Sequence, residues 1–334
     1  MALVAERTDV ADLTAVAASG DSAVEARRPA AASADRPCLG PVCLAVFTGG
    51  VLWVGAGTLA RRGQLGATLA HGWVELAGPL LVAVVVVAVV CERLWPAQPR
   101  RLLARGPRHD ACFLLLYAGC VVPLMTLLGV AFAALGASRA AWMEAPWTST
   151  WSTWAVVPLT LVAMDGANWL AHLADHRVRT LWRFHAVHHS QEELSVLTSF
   201  RAHPLVHTTG FLLATVPVLL LMGPRPLAPV LITAYVCLGT LPHTNVRWSF
   251  GPLGKLVVSP AYHRVHHAIG ARDGANLGIV LTVWDVLSRR AVFPTPDGAV
   301  PATGLSGRPL AVEQHDDRGR LRLLFAQLVE PFSA

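Results

Sequence analysis

HLADHRVRTLWRFHAVHH, residues 172–189, and HRVHH, residues 263–267, decide how this chain is read. Eleven of its fourteen histidines lie between His172 and His267. On a helix, side chains three or four positions apart share a face, so His172 and His176 can aim at one point. His185, His188 and His189 can do the same, as can His263, His266 and His267. The two clusters of one pattern meet around a common centre if the chain between them doubles back. Neutral imidazole suits zinc, iron, copper and nickel. One metal takes about four to six ligands, and this region offers more, so the pattern predicts two ions.

Composition sets the solvent. Of 334 residues, 54% are hydrophobic and 14% charged, and mean hydropathy is +0.48. Soluble domains carry about 25% charged residues, so the chain reads as a polytopic membrane protein. The formal charge of +6 comes mostly from arginines beside apolar runs, as on the cytoplasmic flanks of membrane spans. Nucleic-acid binding would need a basic face on a water-soluble module, and no such module is visible. Cys38, Cys43, Cys91, Cys112, Cys120 and Cys237 form no Cys-x-x-Cys pair and read as small buried hydrophobes.

Taken in order, residues 1–37 read as a disordered tail without a signal peptide, and 38–150 as N-terminal transmembrane helices. Apolar runs at about 42–60, 76–91, 111–136 and 152–171 approach the roughly 20 residues a spanning helix needs. Residues 151–290 read as the catalytic core. Its shorter runs at about 208–222 and 227–242, joined by Met222-Gly-Pro-Arg-Pro226, predict a hairpin that dips into the membrane and returns. Residues 291–334 form a C-terminal tail, with an amphipathic helix expected over about 312–330. Arg93, Arg100, Arg101, Arg105 and Arg108 assign the second join to the cytoplasm. The third join carries Arg139 and tryptophans 142, 147, 151 and 154, an aromatic belt for the far side. The histidine region and both termini are then cytoplasmic, although Arg61 and Arg62 fall on the wrong side. The expected fold is all-α: a polytopic helical bundle carrying a cytoplasmic histidine-rich helical cap.

A site built of imidazole leaves its metals cationic, which calls for acidic groups behind the ligands. Asp165, Asp175, Asp273 and Asp285 are the candidates. The Glu and Glu-x-x-His pattern of soluble di-iron bundles is absent.

The ordered set is more specific than any single motif. Asp165, His172-x-x-x-His176 and Trp182-x-Phe-His-x-x-His-His-Ser190 are followed by Thr198-Ser-Phe-Arg-x-His-Pro204. His243-x-Asn245, Ser259-Pro-x-Tyr-His-x-x-His-His267, Asn276-x-Gly278 and Trp284-Asp285 complete it, with Glu92-Arg-Leu-Trp-Pro96 upstream. This order resembles the fatty acid hydroxylase/sterol desaturase superfamily of integral-membrane di-iron oxygenases, over about residues 160–286. The resemblance implies that His172, His176, His185, His188, His189, His243, His263, His266 and His267 hold two non-haem iron ions. Behind or among them it puts His203, Asp165, Asp175, Asn245, Asn276 and Asp285. His207 stands where many relatives carry Glu, so no ligand is expected there. Leu287-Ser-Arg289 replaces the usual Phe-Gly-Thr after Trp-Asp.

The implied reaction is O2-dependent hydroxylation or desaturation of a C–H bond in a lipid or sterol-like substrate drawn from the bilayer. Electrons would come from a separate electron-transfer protein, since no haem, iron–sulfur or dinucleotide motif is present. The competing readings are a metal-binding membrane transporter and a zinc-dependent membrane hydrolase. Transporters place ligands midway through spans, whereas these clusters follow the spans; a hydrolase needs fewer histidines. His71, His109 and His315 stand alone and read as surface or membrane-edge residues.

Overall fold

The computed structural model describes residues 39–332, apart from 102–103, 137–149, 219–227, 272–273, 296–297 and 308–309. The expected N-terminal tail, Met222–Pro226, Arg139, Trp142, Trp147 and Asp273 lie outside the described residues. Twelve α-helices and several single turns of other helix types make up the described fold. No strand occurs among the described residues; isolated bridges such as Val257 with Leu281 take its place.

Helix α1 (Leu39–Arg61) covers the first apolar run. Helix α2 (Leu65–Ala77) was not foreseen, and it meets α3 (Pro79–Leu94) at Gly78. Proline lacks the N–H that a helix interior needs but suits a helix start, so Pro79 breaks what is otherwise one long apolar segment. At about 1.5 Å per residue α3 is roughly 24 Å long, short of the roughly 30 Å hydrocarbon core. Helices α4 (Arg105–Leu116) and α5 (Val122–Gly136) run on through a π-helical turn at Tyr117–Val121. Helix α6 (Thr153–Arg177) takes in the fourth run and continues through the first histidines. Among the described residues, Arg105–Phe132 and Trp154–Arg177 are long and apolar enough to cross a membrane.

The chain then turns at Val178, whose extended backbone (φ −95°, ψ 112°) stops α6 and starts α7 (Arg179–His189). A 3₁₀ turn (Val196–Phe200) leads to α8 (Pro204–Gly210), which extends through a π turn toward Val218. Helix α9 (Ala228–Thr240) brings the chain back and ends directly in the 3₁₀ turn that carries His243. Helices α10 (Pro260–His266), α11 (Val283–Leu287) and α12 (Arg320–Val329) follow. The expected tail helix thus begins later than 312. Asp316 Oδ1 accepts from the Arg318 backbone N–H at 2.8 Å, a local turn that competes with helix.

One hydrophobic cluster joins Leu81 of α3, Tyr117, Val121 and Val122 of the α4–α5 segment, Phe200 and Cys237. A second pairs Met164 of α6 with Val218. Between them these contacts fix α6 and α9, the two helices that deliver His172, His176 and His243. The C-terminal tail is tied in by polar groups. Arg201, fully buried, donates to Asp110 Oδ1 on α4 at 3.0 Å and, through both terminal nitrogens, to Glu313 at 3.0 Å each. His109 is also buried, with Nε2 2.9 Å from Gln327 Oε1 of α12. Its reading as a surface or membrane-edge residue is corrected: a polar partner on the tail lets the imidazole sit inside.

Candidate metal centre

Three helices and one 3₁₀ turn supply the nine predicted histidines. His172 and His176 lie one turn apart near the end of α6. Helix α7 presents His185, His188 and His189 on its buried face. His243 comes from the turn after α9. Helix α10 is started by Ser259, whose Oγ accepts from the Tyr262 N–H at 3.2 Å, and by Pro260, and it presents His263, His266 and His267.

These nine side chains form two groups. His172, His176, His185, His189 and His266 make one; His188, His243, His263 and His267 make the other. Within each group one ring nitrogen from every member lies within 4.8 Å of all the rest. The motifs therefore do not map one to each group. On α7 the residues four apart, His185 and His189, stay together while His188 crosses over; on α10, His263 and His267 stay together while His266 crosses. At about 100° per residue, positions i and i+4 point within about 40° of each other, whereas i+3 and i+4 diverge by about 100°.

The facing nitrogens are close. His185 Nε2 is 3.1 Å from both His172 Nε2 and His189 Nε2. In the second group, His188–His243, His243–His263 and His263–His267 are separated by 3.1, 3.0 and 3.2 Å between Nε2 atoms. Hydrogen bonding as the neighbouring groups direct it does not account for the His188–His243 contact. His188 Nδ1 donates to the Arg201 carbonyl at 3.1 Å, so its Nε2 carries a bare lone pair. His243 Nδ1 faces Ser199 Oγ at 3.0 Å, and that hydroxyl already donates to the Thr240 carbonyl at 2.9 Å. With that hydroxyl committed to the Thr240 carbonyl, His243 Nδ1 donates and its Nε2 is bare as well. Two buried lone pairs face each other at 3.1 Å. His266 repeats the arrangement, with Nδ1 donating to the Ala275 carbonyl at 2.8 Å and a buried Nε2 without a partner.

Burial also keeps these rings neutral. It pushes His185, His189, His243, His263, His266 and His267 well below the ordinary histidine range, and His188 to about 4. Neutral imidazole is the ligating form. Metal–imidazole bonds are about 2.0–2.1 Å for zinc, which puts nitrogens at right angles about 3 Å apart. The spacing and the orphaned lone pairs fit bound metal ions.

The groups behind the rings are mostly backbone carbonyls rather than the acids expected. His172 Nδ1 donates to Leu277 O at 2.9 Å. Asp285 touches no imidazole. Its two oxygens accept from Trp169 Nε1 (2.8 Å), Tyr262 OH (2.9 Å) and the backbone N–H groups of Leu277 (3.0 Å) and Gly278 (2.8 Å). It acts through the loop whose carbonyl orients His172. Asp165 likewise accepts from the N–H groups of Val280 and Leu281 and from Trp284 Nε1, not from histidine. Gly166 makes this approach feasible, since a Cβ there would lie 2.8 Å from the Trp284 ring. Asp175 alone stands near a ring, 3.9 Å from His185 Nδ1.

Asn245 bonds to Gln98 and Arg264, and Asn276, in a left-handed conformation (φ 55°), bonds to the backbone of Tyr262 and Val292. Neither faces a histidine group. His203 lies outside both groups and uses both nitrogens elsewhere, accepting from Leu205 N–H at 3.1 Å and donating to Leu328 O at 3.1 Å. His207 also lies outside them, as expected. Sequence reasoning missed Ser199, although it sits inside the Thr-Ser-Phe-Arg-x-His-Pro element, and it missed the role of Arg201.

Residues 157–289, which hold all nine histidines, match the sequence model of the fatty acid hydroxylase family. That match and the hydroxylases named next support an oxidoreductase. The chain is 29% identical over 257 residues to ornithine lipid hydroxylase OlsE of Rhizobium tropici, covering 75% of this chain and 74% of that protein. It is also 29% identical over 144 residues to alkylglycerol monooxygenase of Danio rerio, and 28% over 141 residues to that of Homo sapiens. Those matches span 31% and 30% of the monooxygenases. No solved structure matches the chain.

Proposed function

We propose that this chain is a membrane-bound non-haem di-iron oxygenase that hydroxylates a C–H bond of a lipid. The observation that carries the reading is the pair of buried, bare Nε2 atoms of His188 and His243, 3.1 Å apart. A shared cation relieves that contact without protonating a buried ring. The first group would hold one iron through His172, His176, His185, His189 and His266, the second through His188, His243, His263 and His267. Iron bound there would supply reductive activation of O2 and abstraction of hydrogen from carbon.

The chain's own part is to gather nine imidazoles and aim them. The carbonyls of Leu277, Arg201 and Ala275 and the Ser199 hydroxyl fix which nitrogen is free. Burial excludes bulk water from all nine histidines but the half-buried His176. A membrane setting, with residues 38–150 as N-terminal spans and 151–290 as a catalytic core on the cytoplasmic side, is supported by the two long apolar helices and by the arginines of the 93–108 join. The substrate would enter from the bilayer, and a separate protein would deliver electrons. The relatives named above are a lipid hydroxylase and monooxygenases, which favours hydroxylation over desaturation.

The test is turnover of purified, iron-loaded protein with a reductase system and extracted membrane lipid under isotopically labelled O2. A hydroxylated lipid bearing the label supports the reading. Product oxygen derived from water, or undiminished turnover with zinc in place of iron, removes it.

A further inference from the structure

A cavity of about 590 Å³ lies apart from the histidines, where α3, α4, the Val196–Phe200 turn and the start of α12 converge. Five guanidinium groups line it: Arg93, Arg100, Arg101, Arg108 and Arg320. Glu92 is the one carboxylate in the lining, and its Oε1 is taken by the backbone N–H groups of Val196 (2.6 Å) and Asn245 (2.8 Å). Arg100 donates one nitrogen to the Leu194 carbonyl, while its other terminal nitrogen is buried without a partner. Arg93, Arg101, Arg108 and Arg320 are exposed and pair with no carboxylate among the described residues. Concentrating like charge in a concave site is unfavourable unless an anion enters.

The surroundings say what kind of anion. On α3, Val82, Val86, Val90 and Leu94 recur every fourth position and are 57, 56, 51 and 60% exposed. This apolar stripe runs toward the cavity, whose wall includes Val89, Glu92 and Arg93 of the same helix. On α12, Leu321, Phe325 and Val329 form a second exposed stripe of the same spacing, beginning next to Arg320. A cationic cavity between two apolar helix faces matches an amphiphile with an anionic head.

We propose that this cavity binds the anionic headgroup of a membrane lipid, through its phosphate or carboxylate, with the acyl chains lying along the exposed face of α3. The proposal rests on the membrane setting inferred above but not on oxygenase chemistry, and its test reads binding rather than turnover. The full chain in neutral detergent is titrated with dihexanoyl phosphatidylglycerol, with dihexanoyl phosphatidylcholine and with inorganic phosphate, following the shift in thermal unfolding. The anionic lipid should raise Tm saturably, bind about tenfold more tightly than the zwitterionic one, and weaken as salt rises. Arg101→Gln/Arg108→Gln should lose that preference while Arg61→Gln/Arg62→Gln, which removes equal charge elsewhere, keeps it. Should the double variant not fold, Arg101→Gln alone is read the same way. Equal affinity for the two lipids, equal stabilisation by inorganic phosphate, or equal loss in both double variants overturns the proposal.

Discussion

His188 and His189 are neighbours in sequence, yet His188 Nε2 points at His243 Nε2, 3.1 Å away, while His189 Nε2 points at His185 Nε2, also 3.1 Å away. Adjacent residues thus serve different groups. His188→Ala and His189→Ala should each lower bound iron from about two to about one per chain, with the double variant retaining none. Elemental analysis of purified protein checks this. Loss of all metal in both single variants would mean that the two groups act as one site.

Ser199 holds His243 without belonging to either group. Removing a residue that orients a ligand typically costs about 10–100-fold in metal affinity. Ser199→Ala should show that loss in chelator competition, with Tm of the metal-free protein little changed; Ser199→Thr should recover most of it.

Asp285 accepts four hydrogen bonds while buried. An amide in its place presents an N–H₂ where two donors already point. Leaving such buried groups unmatched costs about 1–3 kcal/mol each, so Asp285→Asn should lower Tm clearly and release the loop that orients His172. A wild-type unfolding curve for the variant would contradict this network.

His109→Ala is expected to destabilise rather than pass unnoticed, because it leaves the Gln327 side chain buried with a missing partner. The loss should be about 1–3 kcal/mol. Glu313→Gln should act in the same direction and more strongly, since it strips one charge from a fully buried Arg201, and breaking buried pairs costs about 3–5 kcal/mol. Both are read from denaturant unfolding monitored at the C-terminal tail.

Burial lowers His203 to about 4, against about 6.5 in an unfolded chain. Between those values the unfolded state binds more protons, so stability rises with pH. The contribution is complete above about pH 6.5 and is lost as pH falls toward 4. Protonation would put a hydrogen on the nitrogen that now accepts from Leu205 N–H. Limited proteolysis should therefore open the tail around α12, which His203 holds through Leu328, over this acid range. His203→Asn, which can still accept at that helix start, should blunt the pH step.

The clustering of the histidines was legible because these side chains stand at helical spacing. His172, His176, the 185–189 and 263–267 triplets and His243 all converge. What orients them was not legible, since the carbonyls of Leu277, Arg201 and Ala275 belong to backbone, which any residue type supplies. Asp165 and Asp285 were marked as groups behind the rings, but they bond to loop amides rather than to imidazoles. Helix α2 was hidden because Gly78 and Pro79 interrupt the run by a local break that hydropathy does not register. The burial of His109 and Arg201 depended on Gln327 and Glu313, partners more than a hundred residues away along the chain.

The crossing of His188 and His266 has a consequence for biosynthesis. A ribosome delivers α6 and α7 long before α10, and at that stage the first site lacks His266 while the second has only His188 of its four members. Neither can be completed until His267 has been translated and α10 has docked. Metal uptake would then follow the docking of α10, and a chain cut short before that point would carry neither group complete.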